Sequence, residues 1–123
     1  MGLDVYIQEK DGSSVEIESN LKITHNLNKI LLELDKINGG ETSYYEVIWR
    51  PDELFACENG EVLVKDVLQY IPDIISGLVF YQTRLEQHLP ENGYGDFNWL
   101  YSFLCDYLKE CILHQDKYIY CCR

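Results

Sequence analysis

The chain has 123 residues and is 46% hydrophobic, which fits one domain with one sizeable core. Its formal net charge of −11 disfavours nonspecific binding to nucleic acid or to an anionic membrane, because phosphates would be repelled. No apolar run approaches the roughly 20 residues needed to span a bilayer.

Leu3, Val5 and Ile7 alternate with Asp4, Tyr6 and Gln8, a period of two that predicts a strand with one buried face. Asp11-Gly12 is a hairpin signal. Val15 and Ile17 then predict a second strand, which Leu21 and Ile23 extend after a break at Ser19-Asn20. Leu27, Ile30, Leu31, Leu34 and Ile37 form an apolar stripe at helical spacing, with Thr24 or Asn26 as its N-cap and Gly39-Gly40 as its end. Lys29 and Glu33 lie four apart on its outer face, a helix-supporting pair.

Residues 41–64 lack a clean period and read as loop with one or two short helical pieces, Pro51 starting one of them and Asn59-Gly60 marking a turn. A helix follows from about Lys65 to His88, broken near Pro72, or two helices meeting there; Gly77 faces inward. After the turn-rich 89–95, Asp96 caps a last helix. In that helix Phe97, Leu100, Tyr101, Leu104, Leu108, Cys111 and Ile112 make one stripe, and Trp99, Phe103 and Tyr107 a second, so it reads as the central helix. Tyr118–Cys122 is strand-like and pairs most economically with the N-terminal strands. The whole of 1–123 is thus expected to be a single α+β domain, a small, mainly antiparallel sheet of N-terminal hairpin plus C-terminal strand packed on three to four helices.

The five cysteines are odd in number, and no charged-then-apolar signal segment precedes them. Free thiols in a cytoplasmic setting are expected. No Cys-x-x-Cys occurs and His25, His88 and His114 are far apart, so neither a metal nor a cofactor is expected. Templates for phosphate loops, nucleophile elbows and zinc hydrolases are missing too, and the chain reads as leaning away from catalysis, with no catalytic residue assigned.

Three polar clusters stand at element ends, where sites are commonly grafted. Thr24, His25 and Asn26 sit at a helix N-terminus, whose unpaired N–H groups suit a capping side chain or an anion. Trp49 and Arg50 read either as a core tryptophan beside an arginine paired to Asp52 or Glu53, or as an aromatic face and guanidinium that grip a planar or anionic ligand. Asn92, Tyr94 and Asp96 read either as a tight loop and cap, or as a loop whose tyrosine closes over a ligand.

Ile-Thr-His-Asn-Leu-Asn-Lys at 23–29, Trp-Arg-Pro-Asp-Glu at 49–53 and Asn-Gly-Tyr-Gly-Asp at 92–96, closed by a Cys and an Arg, resemble a family of small, functionally uncharacterised phage and bacterial proteins. That family carries Thr-His-Asn-Leu, Leu-Trp-Arg-Pro-Glu-Glu and Asn-Gly-Trp-Gly segments in this order over nearly the whole chain. Tyr94 stands here where the family has Trp, and Ile48 where it has Leu. The resemblance implies a cytoplasmic, phage-linked setting and assigns no activity.

The preferred reading is a non-enzymatic, counter-defence binding protein on which Thr24, His25, Asn26, Trp49, Arg50, Asn92, Tyr94 and Asp96 converge around a small polar or nucleotide-like ligand. A second reading draws on 33–61, where eight carboxylates (Glu33, Asp35, Glu41, Glu46, Asp52, Glu53, Glu58, Glu61) face only Lys36 and Arg50. That face would imitate nucleic acid or cover a basic host protein. A third is a small hydrolase with His25 as general base. No direct contact with nucleic acid or membrane is expected, and the ten tyrosines leave apolar surface for a homodimer.

Overall fold

Leu3, Val5 and Ile7 are buried along one side of β1 (Gly2–Gln8), while Tyr6 on the other side is exposed. The computed structural model describes residues 2–9, 21–55, 62–91, 93 and 95–123. Strand β2 (Lys22–Thr24) pairs antiparallel with β1, Leu3 opposite Ile23. The predicted Asp11-Gly12 turn and the Val15–Ile17 strand lie outside the described residues, as do Cys57 and the Asn59-Gly60 turn. The pairing falls on the stretch expected to extend that second strand.

Strand β4 (Tyr118–Cys122) pairs antiparallel with the other edge of β1, Ile7 opposite Ile119 and Val5 opposite Cys121, so the chain ends meet as predicted. A two-residue strand β3 (Val62–Leu63) adds a fourth member, giving the order β2-β1-β4-β3. The architecture is α+β. Helices cover the apolar face, and on the opposite face Tyr6 and Tyr120 lie with ring centroids 6.4 Å apart.

Helix α1 (Asn28–Asn38) buries Ile30, Leu31 and Leu34, and stops at Gly39, whose φ of 62° suits a residue without a Cβ. The 41–64 region holds two short helices, α2 (Tyr44–Trp49) and α3 (Pro51–Leu54). Asp35 of α1 fixes α2: its carboxylate accepts from the Ser43 hydroxyl at 2.6 Å and from the backbone N–H groups of Tyr44 and Tyr45. The expected 65–88 helix is divided into α4 (Val64–Leu68), α5 (Ile71–Phe80), α6 (Gln82–Leu85) and a 3-10 turn at Glu86–His88. The break precedes Pro72, which sits in the first turn of α5 where its missing N–H costs nothing. A Cβ on Gly77 would stand 2.9 Å from Leu34 Cδ1, so the glycine lets α5 approach α1.

Helix α7 (Phe97–Leu113) packs on α4, α5 and β2. Its inward arc is Phe97, Leu100, Phe103, Leu104, Tyr107, Glu110 and Cys111. The expected first stripe is corrected at two places: Tyr101 and Ile112 are exposed, because the arc is centred on the Leu100–Leu104–Tyr107–Cys111 side. Buried Glu110 has His114 Nε2 3.5 Å away, a charged pair when the imidazole is protonated. No helix among the described residues is long and apolar enough to cross a membrane.

Candidate functional site

Thr24 ends β2 in extended conformation, and its hydroxyl accepts from the Asn26 backbone N–H at 3.3 Å. His25, Asn26 and Leu27 then form a 3-10 turn that runs into α1. Thr24 is itself buried and Leu27 is sunk in the core, while His25 is exposed and Asn26 half-exposed. Two consequences follow. The cap is Thr24 rather than Asn26. The hydroxyl also satisfies a backbone N–H that an anion at this terminus would otherwise use, so the polar character here comes from side chains.

The third cluster reaches the first. Gly95 has φ +113°, and a Cβ there would lie 3.0 Å from Thr24 Cγ2 and 3.2 Å from Leu27 Cγ. Only glycine allows that contact without strain. Asp96 then caps α7, accepting from the Trp99 N–H at 2.7 Å, and the Trp99 indole N–H donates to the Lys22 carbonyl at 3.0 Å. Asn92 and Tyr94 lie outside the described residues.

The second cluster goes elsewhere. Trp49 is 5% exposed, with its ring stacked on Tyr45, and its indole Nε1 is buried without a hydrogen-bond partner among the described residues. Arg50 Nη1 donates to Glu53 at 3.1 Å. The Trp49 carbonyl accepts from Arg123 at 2.8 Å, and Arg123 also grips Asp52 through two bonds of 2.7 and 3.0 Å. The hydrogen bond from Arg123 is the main reason the Asp52 carboxyl sits below the usual carboxylate range. This is the core-tryptophan alternative, with its arginine paired to Glu53. The expected convergence is therefore corrected: Trp49 and Arg50 do not line the cleft described next.

That cleft, about 580 Å³, opens between His25, Asn26 and Lys29 on one wall and residues 87–91 on the other. The second wall is tied to α1 through Glu33, whose side chain is 11% exposed. Arg84 Nη2 donates to Glu33 Oε1 at 2.9 Å, while His88 Nε2 and Lys36 Nζ lie 3.7 and 3.8 Å from Oε2. The Arg84 hydrogen bond, with the charges of His88, Arg84 and Lys36, holds the Glu33 carboxyl below its usual range against the opposing effect of desolvation. The expected Lys29–Glu33 pair is thus replaced, and Lys29 lines the cleft instead.

Lys29, Gln87 and His88 are the residues that the sequence reading did not place in a site. The signal for Lys29 was its neighbourhood within the 23–29 motif. Nothing local marks Gln87 and His88, which reach the cleft through a contact fifty-odd residues away in sequence.

Four of the six described carboxylates of the acidic stretch have partners within the chain. Glu33 organises the cleft wall, Asp35 caps α2, Asp52 holds Arg123 and Glu53 pairs with Arg50. Glu58 and Glu61 lie outside the described residues. The thiols of buried Cys111 and half-buried Cys121 are both pushed up to about 12, chiefly by desolvation, which makes them poor nucleophiles near neutrality. Among the described residues no group of three or more His, Cys, Asp or Glu side chains could hold a metal ion. Apolar surface does occur, on α7 around Cys105, Leu108, Ile112 and Leu113, and at Phe80. No family model, curated protein or solved structure matches this chain.

Proposed function

We propose that this protein is a non-enzymatic binding protein whose cleft between the start of α1 and residues 87–91 holds a small polar ligand of about nucleotide size. The observation that carries the reading is the lining. In a chain of net charge −11, two of the three histidines, a lysine and two carboxamides converge on one concavity. Its volume falls within the roughly 300–1,000 Å³ of small-molecule sites. His25 and Asn26 remain in the proposed site, joined by Lys29, Gln87 and His88, while Thr24 and Asp96 hold the local backbone as caps. The phage-linked setting implied by the motif resemblance makes a host-defence signal one candidate ligand, a counter-defence role.

The test is a thermal-denaturation panel of nucleosides, nucleotides and sugar phosphates on the wild type and on His25→Ala and Gln87→Ala. A true ligand at a hundred times its Kd stabilises by about 2.7 kcal/mol, a shift of several degrees. The reading requires a hit that both variants weaken. A hit that both variants leave unchanged would place binding elsewhere and overturn it.

A further inference from the structure

We infer that the outward face of α7 is a self-association surface, on which a second copy of this chain packs antiparallel about a two-fold axis midway between Cys105 and Leu108. The argument starts from a stripe that the fold leaves uncovered. Phe97, Leu100, Leu104, Tyr107 and Cys111 are buried on the inward side of α7. Tyr101, Cys105, Leu108 and Ile112 make a second stripe, spaced by four, three and four residues. Alternating steps of three and four are the spacing of a coiled-coil seam, which calls for a facing helix. Within one copy Tyr101 and Ile112 are exposed, and Cys105 and Leu108 are half-buried. With Lys109 and Leu113, the last three residues of the stripe line a shallow concavity of about 320 Å³, the kind of hole that receives a side chain from another helix.

The stripe is complementary to itself. Turned end over end about the two-fold, Tyr101 lies opposite Ile112 of the second copy and Cys105 opposite Leu108, so a larger side chain meets a smaller one in every layer. Charge follows the same symmetry. Lys109 and Asp106 stand on the same flank of the stripe, and the two-fold keeps that flank of both helices on one side. Lys109 is then offset from Asp106 of the second copy by two residues, about 3 Å along the axis and within reach of a lysine, so two equivalent ion pairs close the seam. A parallel pair would set like charges at one height and align the two helix dipoles. A basic partner fits less well, since on a chain of net charge −11 it is steered to the acidic surface rather than to a stripe flanked by one charge of each sign. The surface shares no residue with the cleft, so its failure leaves the cleft reading standing.

The seam of a single helix is smaller than the about 800 Å² per partner of a standard interface, so a weak pair, with Kd at about micromolar or above, is expected. Sedimentation velocity of the full chain over a concentration series measures it, with circular dichroism confirming the fold of each variant. The wild type should shift from monomer to dimer. Ile112→Glu should weaken the dimer tenfold or more, because each substitution acts twice across the two-fold. Lys109→Asp should weaken it as well, and the double exchange Asp106→Lys/Lys109→Asp should restore it. Phe80→Glu removes the most exposed of the large apolar side chains, off the seam, and should dimerise as the wild type does. A wild type that stays monomeric up to about 1 mM, the weak limit of specific association, would overturn the inference. So would a dimer that Ile112→Glu leaves unchanged, one that Phe80→Glu abolishes, or one that the double exchange fails to restore.

Discussion

Replacing Arg123 with methionine keeps the aliphatic stem and removes a guanidinium that joins β4 to the α2–α3 corner. Three hydrogen bonds go with it: two to the Asp52 carboxylate, at 2.7 and 3.0 Å, and one to the Trp49 carbonyl at 2.8 Å. The ion pair is partly solvated, with 31% of the arginine and 44% of the aspartate side chain exposed, so screening reduces its value to about 0.2–1 kcal/mol. The Trp49 carbonyl is more sheltered, and losing a charged donor there adds about 1 kcal/mol, giving an expected destabilisation of about 1–2 kcal/mol. The pH dependence has a fixed sign. Asp52 has a folded pKa depressed below its unfolded value, so its contribution is fully present above the unfolded pKa and is lost as pH falls through the folded one. The gap between wild type and Arg123→Met should therefore hold near neutrality and shrink below about pH 4, where free aspartate titrates. What persists in acid is the Trp49 carbonyl bond, which does not titrate. Urea unfolding followed by far-UV circular dichroism across pH 7 to 3 measures the gap. Asp52→Asn alone and combined with Arg123→Met completes a double-mutant cycle. A gap that stays constant with pH, together with strictly additive single changes, would refute the pairing as a source of stability.

Gly95→Val should destabilise by about 2 kcal/mol or more, since φ of +113° disfavours a β-branched residue and the Cβ would press on Thr24 and Leu27; chemical denaturation reads it, and a neutral result would show that the 95–96 segment is not held against the turn. Tyr107→Phe should be neutral or stabilising by up to about 1 kcal/mol, because the buried hydroxyl has no hydrogen-bond partner among the described residues; a loss above 2 kcal/mol would reveal one. Alkylation by a thiol reagent at pH 8 should modify exposed Cys122 well before Cys111 and Cys121, whose thiols are pushed up to about 12, with peptide mass mapping as the readout; early labelling of Cys111 would contradict its burial.

The elements that sequence reasoning located best are those whose burial is periodic and local. Leu3, Val5 and Ile7 alternate because one face of β1 meets the helices, and Leu27 to Leu34 recur at helical spacing because one face of α1 meets the core. Asp96 was legible as a cap because a cap is a one-residue signal with its partner three residues on. Strand β3 was not, since two residues carry no period. On α7, apolar side chains surround so much of the helix that composition does not say which arc turns inward, and Tyr101 and Ile112, expected on the core stripe, are exposed. Glu110 was missed as an interior residue because charge argues for exposure, although His114 at i+4 was an available hint.

The candidate site was half legible for the same reason. His25 and Asn26 announce themselves by position at a strand-to-helix junction. Gln87 and His88 join them only because Glu33 binds Arg84 and faces His88 across the fold, a long-range arrangement with no local pattern. Trp49 and Arg50 looked like recognition residues because an aromatic beside a guanidinium serves either purpose. Burial of the ring and pairing of Arg50 with Glu53 decide what this sequence makes of them.

Native mass spectrometry of the full chain, purified gently alongside Lys29→Gln, tests the central claim most directly. The account predicts a reproducible additional mass of small-molecule size on the wild type that is diminished or lost in the variant. An adduct retained equally by both proteins would contradict it, because Lys29 lies on the cleft wall.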